Sequence, residues 1–218
     1  MRYIKKGKSP DFFEQATQDV QHDPIWKNLR KKTELRLHLI AEQRNLCAYC
    51  ERGINQENSH IEHIIEQSNQ PELRFDYQNL IASCNGDLCN SELKKEFHPE
   101  DVHSCGHKKD SGNTDVNLFL NPVAVQDIGE YFSYIKETGF IVASEKDIKK
   151  AKHTIELLNL DNPRLNKERL NAPDALLQIW LRMKDMPNAK YDIKNIRQLL
   201  AKERPFISFL RFYYTAFL

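Results

Sequence analysis

Cys47-Ala-Tyr-Cys50 is followed by cysteines at 84, 89 and 105, and all five thiols lie in a stretch, Cys47 to Pro122, in which the helical periodicity of the preceding segment fails. Five of the eight histidines (His60, His63, His98, His103 and His107) fall in the same stretch, among scattered Asn, Gly and Pro. A segment so poor in apolar residues does not close on hydrophobic burial alone, and a bound metal is the device that compensates. A C-x-x-C pair is also made by redox motifs, but those sit in a thioredoxin-like βαβ pattern. Here a long helical pattern precedes and a polar loop follows. The spacing therefore points to structural zinc, with two of the three downstream thiolates completing a tetrahedral four-cysteine site. An odd number of cysteines argues against a disulfide framework. The basic residues after Met1 have no apolar core behind them, so no secretory signal is read there and a cytoplasmic protein is expected.

The 218 residues, 40% hydrophobic and 29% charged, suffice for one large or two small domains with a proper core, and no apolar run approaches the roughly 20 residues of a membrane span. A net charge of +1 gives no sign of a strong stand-alone nucleic-acid binder, because phosphate neutralisation needs a basic excess. The clusters Lys5-Lys6-Lys8, Arg30-Lys31-Lys32, Lys94-Lys95, Lys108-Lys109 and Lys149-Lys150-Lys152 read as solvated helix faces.

The flanks are regular. From Ser9 to Asn45 the pattern is helical, with Ser9-Pro10 and Asp23-Pro24 each reading as a cap followed by proline, and Trp26, Leu29, Thr33, Leu37 and Ile40 as one buried stripe. Residues 130–143 read as a hairpin turning through Lys136–Gly139. Ser144 and Asp147 resemble a capping box opening a helix with Ile148, Ala151, Ile155 and Leu158 on one face. Helices are expected over 172–184 and 193–202. The chain ends in an aromatic stripe, Phe206, Phe209, Leu210, Tyr213 and Phe217, that either closes the protein's own core or offers a partner a docking face.

Inside the cysteine stretch, His60-Ile-Glu62-His63-Ile-Ile alternates like a short strand, and Asn79-Leu-Ile-Ala-Ser-Cys84 follows it. The ordered set, C-x-x-C, then Glu-His, then Asn-Leu ahead of a cysteine, then Cys105-Gly-His-Lys-Lys109, resembles the HNH (ββα-metal) nuclease family. Met1-Arg with Pro10, Leu46-Cys-Ala-Tyr-Cys-Glu51, Leu118-Phe-Leu-Asn-Pro122 and Leu157-Leu-Asn-Leu160 are similar to its anti-phage branch, the nuclease subunit of Septu-type systems, often found with a retron. The fold so implied is α+β and mostly helical: an N-terminal helical segment (1–46), a ββα-metal core with a zinc knuckle (47–122), and a hairpin with C-terminal helices (123–218).

The resemblance implies roles. His63 matches the general base, a neutral imidazole able to take a proton from water. Glu62 would ligate a catalytic Mg²⁺ or Mn²⁺ through oxygen. Asn79 would fix the His63 ring and tautomer through its amide or carbonyl. Two choices stay open for the remaining ligands: Cys84 with Cys89, then Asn90, in a tight knuckle, or Cys84 with Cys105, then His107 and Lys109. The subfamily resemblance favours the second, giving zinc on Cys47, Cys50, Cys84 and Cys105, the divalent ion on Glu62 and His107, and residues 85–104 as an inserted loop. His60 is either a further metal ligand, since it shares a strand face with Glu62, or an ordinary strand histidine. Glu62 stands where Asp or His is commoner before the base, and Asp110 where glycine often follows the lysine. The activity implied is metal-dependent hydrolysis of DNA in phage defence, beside an ABC-type ATPase and, where the system carries a retron, its reverse transcriptase and DNA–RNA product. A zinc-stabilised adaptor with an inactive HNH site and a nuclease directed at RNA such as tRNA are the alternatives.

Overall fold

The computed structural model describes residues 1–86, 96–109, 114–184 and 193–215, and the fold is α+β with helix predominating. Helix α1 (Asp11–Gln18) starts one residue later than the sequence suggests: Pro10 is the flanking residue, extended and without a capping side chain, and Ser9 lies outside. The expected second helix is split. Trp26–Asn28 form a 3-10 turn, and α2 (Lys32–Glu42) begins after Lys31 takes a left-handed φ of 64°. Asp23 caps nothing there; its carboxylate accepts from the Asn28 side chain at 2.7 Å. The break changes the phase, so Leu35, Leu39 and Ile40 are buried while Leu37 is 44% exposed, and the single stripe from Trp26 to Ile40 is not formed.

Strands β1 (Ser59–His63) and β2 (Leu80–Cys84) pair antiparallel from Ser59↔Cys84 to His63↔Leu80. Two single-turn helices follow, α3 (Pro99–Val102) and α4 (Gly106–Lys109). The expected second hairpin is present as β3 (Phe132–Tyr134) with β4 (Ile141–Ala143). Gly139 closes its turn at φ 71°, where an added Cβ would lie 2.4 Å from the Asn166 carbonyl oxygen. Helix α5 (Ile148–Leu157) is capped by Asp147, whose carboxylate accepts from the Lys150 N–H, so the start falls three residues past Ser144. Ile148 is half exposed, whereas Ala151, Ile155 and Leu158 are buried as expected.

Helix α6 (Pro163–Lys184) is longer than the sequence suggests. Asn162 accepts from the Leu165 N–H at 3.0 Å just before Pro163, an N-cap and first-turn proline in the order physics prefers. Helices α7 (Ile193–Ala201) and α8 (Ile207–Tyr213) complete the chain. Among the described residues no helix is long and apolar enough to cross a membrane.

One cluster of buried residues runs from Met1, Ile4 and Phe13 through Leu35 and Ile81 to Leu158, Leu165, Phe206 and Phe209. The terminal aromatic stripe therefore faces inward. Phe206 and Phe209 join this cluster, Leu210 packs with Leu199, Leu200 and Ile207, and Tyr213 is half-buried, so these residues are not a free docking face. Phe217 lies outside the described residues. Glu51, directly after the C-x-x-C pair, draws α8 against that turn: its carboxylate accepts from Ser208 N–H at 2.9 Å and Oγ at 2.5 Å, and its carbonyl accepts from Phe206 N–H at 3.0 Å. The Met1 amine lies 3.4 Å from the same carboxylate and holds it below the usual carboxylate range against the opposing effect of burial.

Every residue of β2 is buried, and its edge away from β1 must find partners inside the protein. Gln43 supplies them. Its Oε1 accepts from the Ala82 N–H at 2.7 Å and its Nε2 donates to the Ala82 carbonyl at 2.8 Å, which the Ala48 N–H also reaches at 3.2 Å. Replacing Gln43 by Leu strands at least the Ala82 N–H, and a loss of about 1–3 kcal/mol in unfolding free energy is expected. Chemical denaturation at fixed pH measures it; a variant as stable as the parent removes Gln43 from this role.

Candidate functional site

The first element of the site is the thiol group. Cys47–Cys50 form a tight turn in which the Glu51 N–H donates to the Cys47 carbonyl at 3.2 Å, and Glu51 takes a left-handed φ of 64°. Cys84 ends β2. Cys105 arrives from the opposite side, itself left-handed at φ 61°, with its N–H on the Leu158 carbonyl at 2.8 Å. The chain excursion between these two is closed by a backbone bond from Ser104 N–H to the Gly86 carbonyl at 3.1 Å. The approach is so close that a Cβ at Gly86, where φ is 68°, would fall 2.1 Å from the Ser104 oxygen.

The sulfurs of Cys47, Cys50, Cys84 and Cys105 lie within 4.8 Å of one another, all buried, with Cys50 and Cys84 at 3.7 Å. Four sulfurs held tetrahedrally around zinc at about 2.3 Å are about 3.8 Å apart, so the donor set and spacing suit that ion. Burial raises the Cys105 thiol well above the ordinary range; against an opposing bond to Cys105, hydrogen bonding to Cys47 and Cys50 does the same to Cys84. Hydrogen bonds from the neighbouring thiols carry Cys47 well below that range despite its burial. Among the described residues Cys105 completes this group; Cys89, Asn90 and Asp110 lie outside them. Arg164, only 1% exposed, donates from Nη2 to Ser104 Oγ at 3.0 Å beside this cluster and pairs with Glu168 at 3.1 Å.

The second element is an open cleft of about 250 Å³ lined by Trp26, His60, Ile61, Glu62, His63, Glu66, Gln67 and His107. His63 ends β1. Its Nε2 lies 2.9 Å from the Arg74 carbonyl oxygen, which can only accept, so Nε2 carries the hydrogen and Nδ1 keeps the lone pair. Gln67 Nε2 is a distant 3.4 Å from that Nδ1, and Trp26 meets the ring edge-on at 4.5 Å. Burial holds the imidazole below its ordinary value, which keeps it neutral at pH 7.

Asn79 does not hold this ring. Its amide bonds the Ile65 N–H and carbonyl and the Leu73 carbonyl, bracing the loop from which Arg74 reaches His63. The sequence expectation is thus shifted by one layer: Asn79 fixes the loop, and the Arg74 carbonyl fixes the tautomer.

Glu62 is 3% exposed. Its Oε1 pairs with Lys109 Nζ at 3.0 Å and accepts from Tyr49 at 3.3 Å. Lys109 is fully buried, also pairs with Glu66 at 3.0 Å, and donates to the His63 carbonyl at 3.0 Å. Burial opposes the charge on Lys109, but the two carboxylates win and raise it above the ordinary lysine value. Glu62 Oε2 faces His60 Nε2 at 3.5 Å, and that buried nitrogen has no hydrogen-bond partner among the described residues. Burial lowers the His60 imidazole, and the Glu62 carboxylate more than reverses it. His107 stacks on His60 with ring centres 4.1 Å apart. Glu62, His60 and His107 therefore share one wall, although the four cysteines alone, among the described residues, form a group of three or more metal-ligating side chains this close. The unpartnered Nε2 opposite a carboxylate oxygen suits a cation.

Sequence reasoning did not find Trp26, Glu66 or Gln67 as parts of this cleft, nor Arg74 as the residue that holds His63. Gln67 follows His63 at i+4, a weak signal; Arg74 acts through its carbonyl and leaves none.

An antiparallel hairpin followed by a short helix, with four clustered cysteines on one side and a histidine lining a cleft, is the arrangement of an HNH nuclease, and the comparisons agree. The family model described as HNH endonuclease matches residues 47–96. A Vibrio cholerae serotype O1 biovar El Tor protein named "Retron Vc95 putative HNH endonuclease" is 31% identical over 185 residues, covering 81% of this chain and 78% of that protein. An Escherichia coli protein named "Retron Ec83 putative HNH endonuclease" is 29% identical over 166 residues, covering 62% of each. The chain belongs to the HNH endonuclease family.

Gly106 packs directly against the wall of the cleft. An added Cβ would lie 2.6 Å from both Glu62 Oε2 and His60 Nε2. Gly106→Ala is expected to lower unfolding free energy by about 1–3 kcal/mol, with a smaller cost when His60→Ala is already present. Denaturant midpoints of the four proteins in that cycle decide it, and simple additivity refutes the collision.

Proposed function

We propose that the chain is a metal-dependent DNA endonuclease, the cytoplasmic effector of an anti-phage system, in which His63 is the general base. The observation that carries this is the His63 tautomer: Nε2 is spent on the Arg74 carbonyl, so Nδ1 is the ring's acceptor, with Gln67 Nε2 3.4 Å from it, in a ring that lines the cleft together with Glu62. A water at that nitrogen would lose its proton to a neutral ring and attack phosphorus. Glu62 Oε2 and His60 Nε2, with His107 stacked behind, would hold Mg²⁺ or Mn²⁺; the ion would supply charge neutralisation on the phosphoryl oxygens and leaving group. Lys109 positions Glu62 and the His63 carbonyl without reaching the substrate. Trp26 shields one edge of the imidazole from water.

Cys47, Cys50, Cys84 and Cys105 would hold structural zinc, and Arg164 offsets part of the charge of four thiolates. The relatives' names place those proteins with retrons, and the resemblance to Septu-type nucleases implies an ABC-type ATPase as partner; both extend here to this chain. With Phe206, Phe209 and Leu210 committed to the core, the ATPase would dock elsewhere.

His63→Ala is expected to lower plasmid nicking in Mg²⁺ or Mn²⁺ roughly 10²–10⁴-fold with little change in thermal midpoint. Cutting at the parental rate assigns the chemistry to another group. Elemental analysis is expected to find about one zinc per chain, lost on Cys105→Ser and retained on Cys89→Ser; the opposite pattern transfers the fourth position to Cys89.

A further inference from the structure

The cleft over His63 continues past the reacting groups. It shares Trp26, His60 and Ile61 with an adjoining groove of about 290 Å³ whose far wall is Lys32, Thr33 and Arg36 on the first turns of α2. That wall is fixed relative to the chemistry. Arg36 Nη1 donates to the Ser59 carbonyl at 3.0 Å, and Ser59 opens the strand that carries Glu62 and His63.

The charges along the groove are unspent. Among the described residues neither Lys32 nor Arg36 has a carboxylate partner, whereas the adjacent Lys31 is paired with Glu34 at 3.0 Å. Lys32 Nζ donates to the Lys27 carbonyl at 3.0 Å and sits 5.9 Å from the Trp26 ring. Arg36 Nε is buried and has no hydrogen-bond partner among the described residues. Its half-buried guanidinium, held through Nη1 on the Ser59 carbonyl, carries further N–H donors in the fixed fork that suits a phosphate. Trp26, half-buried between the two cavities, adds an aromatic surface of the kind on which bases or sugars rest. In the neighbouring cleft Lys109 pairs with both Glu62 and Glu66 and offsets one of their two charges.

We propose that this groove seats the DNA strand next to the scissile bond, with Arg36 and Lys32 holding a flanking phosphate and Trp26 supporting the adjoining nucleotide. The proposal rests on the nuclease reading above and names the surface through which that site takes its substrate. Of Arg30-Lys31-Lys32, only Lys32 lines this groove.

The test measures binding of a labelled duplex DNA oligonucleotide to the full-length His63→Ala protein over a range of salt concentrations. Arg36→Gln and Lys32→Gln, each added to it, are expected to weaken binding and each to reduce the slope of log K against log salt by about one phosphate contact, or 0.9. Lys31→Gln is expected to change neither. Arg36→Lys keeps the charge and is expected to retain the slope, which separates a lost phosphate contact from a damaged fold. Parental slope and affinity in both Gln variants overturn the proposal. An RNA duplex of the same length is the second arm, and a slope change confined to RNA overturns the assignment to DNA. Cleavage by the unmodified protein is followed in parallel. If it cuts nothing while the slopes fall as expected, the groove stands and the nuclease reading fails; if it cuts and the slopes do not move, the strand lies elsewhere.

Discussion

Strand β2 is buried from end to end, and both halves of the site hang from it. A strand with no solvent on either face must satisfy its outer edge from inside the protein. The Gln43 amide does so by presenting a donor and an acceptor to Ala82, much as a third strand would. Lys6 Nζ reaches the Leu80 carbonyl at 3.0 Å, and Ser83 Oγ accepts from the Gly106 N–H at 3.1 Å. Once β2 is immobile, its carboxyl end fixes Cys84, its amino end is preceded by Asn79, and its pairing with β1 sets the heights of Glu62 and His63. Burial alone would not place a base, a carboxylate and a thiol in such relation; the ladder register does.

The same compactness creates an electrostatic problem that the chain answers locally. Glu62 and Lys109 are both almost wholly excluded from water, and removing one partner of such a pair typically costs about 3–5 kcal/mol because the other remains charged and unsolvated. Lys109 escapes isolation through three acceptors, Glu62, Glu66 and the His63 carbonyl, drawn from β1 and the loop after it. On the other side of β2, four sulfurs meet with Arg164 beside them. The two charged clusters share α4 and its approach: Cys105 leads in, Gly106 packs on Glu62, and Lys109 ends the turn. A disturbance of one is felt by the other.

Much of this was legible in the order of residue types. The thiol spacing, the His60–His63 strand and the second hairpin follow from reading spacing and resemblance together, and Cys105 falls among the four clustered sulfurs of the described residues. What was not legible depends on backbone and on phase. Arg74 contributes a carbonyl, which any residue owns. The left-handed Lys31 breaks one apparent helix into two and turns Leu37 outward, although nothing in lysine announces that conformation. Asp147 and Asn162 both cap helices, but the first stood beside an equally suitable Ser144 and the second inside a polar stretch with no apolar stripe to anchor it. The terminal aromatics were visible as a stripe whose direction only the packing against β3, with Tyr134 and Phe209 at 5.4 Å, decides.

The bond between Ser104 and Gly86 brings together the two points at which the chain leaves and rejoins the thiol cluster. The two ends meet at the same point whatever the length of chain joining them, and doubling that length costs only about 0.6 kcal/mol of closure entropy. The frame that presents Cys84 and Cys105 to one another is thus closed by two backbone atoms and a glycine, while α3 is tied to the body separately, through buried Val102 and the Asp101 and His103 carbonyls that accept from Asn159.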